Sequence, residues 1–279
     1  MESKDLARFL FEIASDERLG ILAEVAEKPL KHAQIARRLD MTGSETTRHL
    51  NRLASAGLVT KNPRGEYEPT NLARLLSTGM PFFRFLTANR EFLLQHDVLV
   101  LPPEFVERLG ELTGATFTTG TYKVVAEQER SLRAVKRRIW VLTEQVSESA
   151  IPIMRAKAAE GADVRVIRPR AGFGDAIPAL SGVGRNYPMR LLEETRIFLA
   201  VLDDLAGVCF PAADGKVDMA TMLLMADPHG CRWAEDLFLH YWNQAREWLG
   251  PPMSLRGSRF PRSRSVSCVW PGTVGSPAR

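Results

Sequence analysis

Apolar positions in the first 55 residues recur at helical spacing in four successive segments. Residues 4–14 (KDLARFLFEIA) form the first, and Ser15 followed by Asp16 and Glu17 marks a second start, because acids in a first turn suit the helix dipole. That second helix, SDERLGILAEVAE, runs until Lys28-Pro29 stops it. In His32 to Asp40 (HAQIARRLD), Ile35, Ala36 and Leu39 share one face, which predicts a short third helix. After the turn at Met41-Thr42-Gly43, the stretch MTGSETTRHLNRLASAGLV predicts a fourth, ending near Ala56-Gly57, where glycine can take the left-handed cap conformation. Leu58 to Lys61, Asn62 to Gly65 and Glu66 to Pro69 then read as strand, turn and strand.

From Thr70 a helical pattern continues to about Asp97, with a bend expected at Gly79-Met80-Pro81. Pro103 to Leu112 (PEFVERLGEL) predicts another short helix. Beyond it the pattern alternates: helix 121–136, strand 139–142, helix 147–160, a stop at Gly161, and strand 163–167. After a loop rich in Gly and Pro over 169–188, strands are expected near 189–192, 196–202, 205–210 and 221–225. A helix carrying Trp233, Leu237, Phe238, Tyr241, Trp242, Ala245 and Trp248 at helical spacing closes the domain. Such alternation implies a sheet covered by helices.

Composition adds limits. Hydrophobic residues make up 45% and charged residues 25% of the 279, the balance of a globular chain, and no apolar run approaches the roughly 18 to 20 residues of a membrane helix. The first residues, MESKDLARFL, lack an apolar signal region, and three scattered cysteines (Cys209, Cys231, Cys268) fit reduced thiols, so a cytoplasmic location is expected. The net charge of +4 is misleading as a sum: residues 251–279 hold five Arg and no acid, leaving 32 basic against 33 acidic groups in the body. That tail is Pro-, Gly-, Ser- and Arg-rich without periodicity and is expected to be disordered. Within the body, residues 28–64 carry eight basic groups against Asp40 and Glu45.

The fourth helix sits inside that patch. A helix that enters a major groove needs an apolar face toward its own domain and small polar or basic residues opposite. Here Thr46, Leu50, Leu53 and Ala54 form the inner face, while Ser44, Thr47, Arg48, Asn51 and Ser55 fall outside. Thr42 and Ser44 stand at the helix N-terminus, where free N–H groups can receive a phosphate. The hairpin tip adds Lys61 and Arg64. In His32-Ala33-Gln34-Ile35-Ala36, Thr47-Arg48-His49-Leu50-Asn51-Arg52-Leu53 and Ala56-Gly57-Leu58-Val59 the segment from about 15 to 76 resembles winged helix-turn-helix regulators of ArsR-like and archaeal kinds. The resemblance implies that Thr42, Gly43, Ser44, Thr47, Arg48 and Asn51 face the groove and that Arg64 meets phosphate; Arg52 and Lys61 complete the candidate DNA-binding set. Gly43, without a side chain, and Glu45, which repels phosphate, depart from the strongest DNA-facing patterns.

Glu91 to Val98 (EFLLQHDV), Leu101-Pro102-Pro103-Glu104-Phe105, Arg108 to Leu112, Gly161 to Pro169 and Asp214-Gly215-Lys216-Val217-Asp218 are similar to the sensor half of the archaeal methanogenesis regulatory protein family. The latter part is also similar to the phospholipase-D-like sensor fold of TrmB-type sugar regulators. That similarity raises an enzyme reading, which needs a His nucleophile with a Lys two residues on. None of the five histidines begins a His-x-Lys, so no enzyme is expected. Asp227, His229 and Cys231 lack the Cys-x-x-Cys pairing of structural zinc sites, and no metal or cofactor is expected. His96 beside Asp97 reads as a cap or a domain contact, not a catalytic dyad.

The resulting expectation is an α+β chain: a winged helix-turn-helix domain (1–76), a helical linker (77–112), an α/β sensor domain of phospholipase-D-like kind (113–250) and the basic tail (251–279). Its expected role is a homodimeric transcription regulator that binds double-stranded DNA and responds to a small-molecule effector. The alternative is a protein-interaction module of the transcription machinery. Arg165, Arg168 and Asp203 are candidates for ligand binding from their position near strand ends alone.

Overall fold

The computed structural model describes residues 3–144, 149–170 and 187–248; the tail 251–279, Cys268 and the glycine pairs at 172/174 and 182/184 lie outside these. The first 70 residues form α1 (Ser3–Ile13), α2 (Asp16–Glu27), α3 (His32–Arg38), α4 (Gly43–Ser55) and an antiparallel hairpin of β1 (Val59–Lys61) and β2 (Tyr67–Pro69). Ser15 caps α2 by accepting from the Arg18 N–H. Arg18 is buried, and its guanidinium donates to the Phe11 and Glu12 carbonyls, which the end of α1 would otherwise leave unpaired. Ile21, Val25, Ile35, Leu50, Leu53 and Leu58 close one apolar core.

The end of α4 shows why the chain turns where it does. Gly57 has φ +71°, its N–H bonds the Ala54 carbonyl at 3.0 Å, and the Leu58 N–H reaches back to the Leu53 carbonyl at 2.9 Å. Those two bonds satisfy carbonyls of the last turn, and Leu53 and Leu58 are both fully buried in the same core. The left-handed backbone at Gly57 costs a side-chain residue strain that glycine avoids.

Helix α5 (Asn71–Ala88) belongs to two cores. Ala73, Leu76 and Met80 pack with the N-terminal helices, whereas Phe82, Phe85 and Leu86 pack against the sheet described next. Helix α5 continues through Gly79-Met80-Pro81, where a bend is expected from sequence, and it ends at Asn89, before α6 (Arg90–Gln95). Asn89 donates both its backbone N–H and its side-chain Nδ2 to the Phe85 carbonyl, at 3.0 and 2.8 Å, and so ends the helix locally. The helix expected over 103–112 is divided at Arg108 into α7 (Pro103–Glu107) and a 3-10 turn, Leu109–Leu112. Gly110 in that turn lies against α5 so closely that a Cβ on it would stand 2.7 Å from Phe82 N and 2.9 Å from the Pro81 carbonyl carbon.

Among the described residues, those after the 3-10 turn build an eight-stranded mixed sheet with the helices that cover it. Its strands are β3 (Thr116–Thr119), β4 (Arg138–Leu142), β5 (Asp163–Pro169), β6 (Met189–Leu192), β7 (Phe198–Val201), β8 (Ala206–Cys209), β9 (Thr221–Met225) and β10 (Arg246–Glu247), in spatial order β10-β6-β5-β4-β7-β8-β9-β3. The β4–β5 and β5–β6 pairs are parallel and the others antiparallel. Among the described residues three helices remain: α8 (Thr121–Ala134), α9 (Ala150–Ala159) and α10 (Pro228–Gln244).

Strand alternation sorts side chains between two layers. Leu142, Ile167, Leu199, Val208 and Leu223 face α10 and the 82–112 segment; Val141, Val166, Phe198, Cys209 and Met222 face α8 and α9. The α10 layer is filled with rings: Phe238 stacks between Trp140 and Trp242, with centroids 5.2 and 5.8 Å away, and Trp233 Nε1 donates to the Phe105 carbonyl at 3.2 Å. Trp248, expected on the closing helix, lies beyond it; α10 ends at Gln244, and the Trp248 N–H bonds the Met189 carbonyl at 3.0 Å as an extension of edge strand β10. Edge strands β3 and β10 were not apparent from apolar pattern, because Thr116–Thr119 has one apolar residue and Arg246–Glu247 has none. Among the described residues, no helix is long and apolar enough to cross a membrane.

The Gly110 contact leaves no room for a methyl group against backbone, which cannot yield as a flexible side chain does. Gly110→Ala is therefore expected to lower the stability of the full chain by about 1–3 kcal/mol, the usual cost of overpacking, with Gly79→Ala, which meets nothing within 4 Å, as the control. Chemical denaturation of the two variants checks this.

Candidate nucleic-acid interface

The N-terminal turn of α4 is built by a reciprocal cap. The Thr42 hydroxyl accepts from the Glu45 N–H at 3.3 Å and donates to Glu45 Oε2 at 2.8 Å, while the Thr42 N–H donates to the same carboxylate at 3.0 Å. Hydrogen bonds from the Thr42 backbone and then its hydroxyl hold the Glu45 carboxyl below the usual range. Glu45 is thus occupied with its own helix start. The Thr42 hydroxyl, read from the sequence as a phosphate ligand, is used in the same cap.

His32 fixes α3 to α4. Its Nε2 lies 2.9 Å from Thr47 Oγ1 and 3.1 Å from the Gly43 carbonyl oxygen, and the Thr47 hydroxyl donates to that carbonyl at 2.9 Å. This link was not legible in the sequence, since positions eleven and fifteen apart show no shared period.

Along α4 the candidates divide between two surroundings. Ser44 and Arg48 are exposed on the N-terminal half, with Arg48 Nη2 3.4 Å from His49 Nε2. Asn51, Ser55 and Arg52 instead line a groove of about 440 Å³ with Asp5, Arg8 and Glu12 of α1. Arg52 is held there by Glu12, through Nε at 2.9 Å and Nη2 at 2.8 Å, and its guanidinium lies 5.2 Å from the Phe11 ring centroid. Its exposed bidentate pair raises the Arg52 pKa and lowers that of Glu12, each chiefly through the shared hydrogen bonds. Arg52, counted from sequence in the candidate DNA-binding set, is tied to α1. The acids of α1 border the C-terminal half of α4, so the N-terminal half is the more favourable side for an anion.

The hairpin tip is shaped by Asn62. Its Oδ1 accepts from the Arg64 and Glu66 N–H groups at 2.9 and 3.0 Å, and its Nδ2 donates to Glu66 Oε2 at 3.1 Å. With Gly65 at φ +76°, the turn holds Arg64 outward and exposed. Lys61 lies 5.0 Å from the centroid of the Tyr67 ring, which steadies the second cation of the tip.

The three ligand candidates of the sheet domain do not meet. Arg165 and Arg168 are three apart on β5 and so point to opposite faces. Arg165 lies over Trp140 and Trp242, at 4.7 and 5.6 Å, in an ion pair with Asp163. Arg168 is buried on the α8/α9 side and donates Nη2 to the Glu144 carbonyl at 2.7 Å. Asp203 accepts the N–H groups of Lys136, Arg137 and Arg138 at 2.8, 3.0 and 2.9 Å, a turn-stapling role. Partial burial pushes its carboxyl up, but these backbone donors outweigh it and hold it below the usual range.

Other groups are likewise structural. Asp227 caps α10 by accepting from the His229 and Gly230 N–H groups, both at 3.0 Å. His96 pairs with Asp218 at 3.1 Å and stacks on Phe92, while Asp97 caps the following turn. Burial pushes the Cys209 thiol up to about 12, so it stays protonated at neutral pH. Among the described residues, no cluster of three or more His, Cys, Asp or Glu is placed to hold a metal.

With this geometry, residues 15–61 match the family model described as bacterial regulatory protein, arsR family. The N-terminal domain is an ArsR-type helix-turn-helix domain. No curated protein sequence matches the chain. Similar solved structures include TrmBL2, described as an archaeal chromatin protein with a novel mode of DNA binding, at 13% identity, covering 88% of this chain and 100% of that one with a TM-score of 0.39. Nuc, a phospholipase D family member from Salmonella typhimurium, is 13% identical and covers 48% of this chain and 98% of its own, with a TM-score of 0.40. NucT from Helicobacter pylori is 8% identical over 48% and 98%, with a TM-score of 0.41. Such likenesses are distant, and activity does not carry across them.

Two stability tests follow from the caps. Thr42→Ala is expected to cost about 1 kcal/mol, with Thr42→Ser restoring most of it, by urea denaturation. For Asp203, whose carboxyl is depressed in the folded chain, stabilisation is present above its ordinary value of 3.8 and is lost as pH falls through the lower folded value. Asp203→Ala is expected to cost on the order of 1 kcal/mol at neutral pH, and the difference from the parent should vanish only below about pH 4.

Proposed function

We propose that the protein is a DNA-binding transcription regulator acting in the cytoplasm, in which the N-terminal half of α4 and the hairpin tip meet double-stranded DNA. The observation that carries this reading is the arrangement of exposed cations: Arg48 on α4, with Lys61 and Arg64 on a tip shaped by Asn62, beside a segment that matches the arsR family model. Ser44 and the helix N-terminus add donors suited to a phosphate. Gly43, Thr42 and Thr47 contribute through backbone and cap geometry, and Asn51 reaches DNA only along the edge of the α1 groove.

The proposal extends to a homodimer, since one small domain makes few contacts and a pair doubles them at a fixed spacing. It also extends to control by the sheet domain through a small effector and, on the phrases from Glu91 to Asp218, to kinship with the archaeal methanogenesis regulatory proteins. A hydrolytic role is not part of it: every histidine lacks the lysine two residues on that phosphoryl transfer of the phospholipase D kind requires.

Electrophoretic mobility shift with duplex DNA over a salt series tests the reading. Arg48→Ala with Arg64→Ala is expected to weaken binding and reduce the slope of log affinity against log salt by about 2, one phosphate contact each. An unchanged affinity and slope would point instead to a protein-contact role for the same surface.

A further inference from the structure

The two faces of the sheet are filled differently. On the α10 side, stacked rings occupy the layer; on the α8/α9 side a cavity of about 90 Å³ remains, partly open to solvent. Gln128 of α8, Met154 of α9, Val166 of β5, Ala200 of β7 and Met222 of β9 are among its walls, with Arg168 at the strand end. The lining is chiefly apolar, which disfavours sugars, nucleotides and other heavily hydroxylated or charged ligands, because their polar groups would lose water without replacement.

Polar atoms also reach this wall. Gln128 Nε2 is buried and has no hydrogen-bond partner among the described residues. Buried amide donors are nearly always paired, and one left unpaired beside a cavity is satisfied when an acceptor enters. Arg168 directs its Nη2 to the Glu144 carbonyl at 2.7 Å. Tyr187, also in the wall, has its hydroxyl pushed up to about 12 by burial and stays neutral.

We propose that this cavity is a binding site for a compact, uncharged, mainly apolar molecule bearing one hydrogen-bond acceptor, such as a small ketone, ester or lactone, with the acceptor on Gln128 Nε2. The apolar body packs between α8, α9 and the sheet. That occupancy tunes DNA binding rests on the regulator reading above; the binding itself does not, and it is measured without DNA.

The test uses the full chain with 13C-labelled methionine methyl groups and two probes of one shape, cyclopentanone and cyclopentane. Met154 and Met222 line the cavity, while Met41 and Met80 pack with the N-terminal core and serve as internal controls. Both probes are expected to shift the Met154 and Met222 methyl signals saturably and to leave Met41 and Met80 in place. Gln128→Leu is expected to weaken cyclopentanone roughly five- to tenfold and not to weaken cyclopentane, the difference a single net hydrogen bond makes. Ala200→Leu, whose added carbons enter the cavity, is expected to abolish binding of both. The proposal is overturned if neither probe gives a saturable shift at Met154 and Met222 up to its solubility limit, or if Gln128→Leu affects the ketone no more than the hydrocarbon. Should Ala200→Leu fail to fold, as its methyl spectrum would reveal, Gln128→Leu, on a partly exposed helix position, decides alone.

Discussion

The backbone of Gly110 rests on the backbone of α5 at Pro81 and Phe82, and the relation between the two halves of the chain depends on that approach. A side chain on Gly110 would push the 3-10 turn away and with it Leu109 and Leu112, both buried in the sheet's aromatic layer. Pro81 suits the position for a complementary reason. It presents a compact ring at the contact, inside a helix that stays continuous from Asn71 to Ala88. The residue expected to bend the helix is the one on which the second half docks.

What could be read from sequence follows from which forces are local. The four N-terminal helices, the start at Ser15, the stop at Gly57 and the hairpin were legible because spacing, helix starts and left-handed glycine act within a few residues, whereas the Thr42 cap was not. The central strands were legible as apolar runs. Edge strands β3 and β10 were not, since their pairing comes from neighbours brought up by the fold and not from their own composition. The same limit applies to the interface. Arg48 and Arg64 stand exposed where periodicity and the turn put them, but Arg52 is held by Glu12, forty residues earlier in sequence, and His32 meets Thr47 across a turn. Helix phase alone could assign Arg52 to a face, but not to a partner.

Strand parity separates two of the ligand candidates. Arg165 and Arg168 differ by an odd number on one strand, so the pleat alone sends them to opposite faces. The face that Arg165 joins is a stack of tryptophan, phenylalanine and guanidinium planes, and the face that Arg168 joins keeps a void. A sheet packed so unevenly has one layer that resists rearrangement and another with room for it, since dense ring stacks deform less readily than a partly empty apolar layer.

Helix α5 carries a thermodynamic consequence beyond its geometry. Ala73 and Met80 stabilise one core and Phe85 another, yet all three lie on a single run of backbone hydrogen bonds. Unwinding the helix from either side removes support from the opposite side, so the two cores do not have separate folding free energies. Their boundary falls inside a helix rather than in a linker, and the N-terminal domain, cut away at that boundary, would be a less stable object than the same residues in the whole chain.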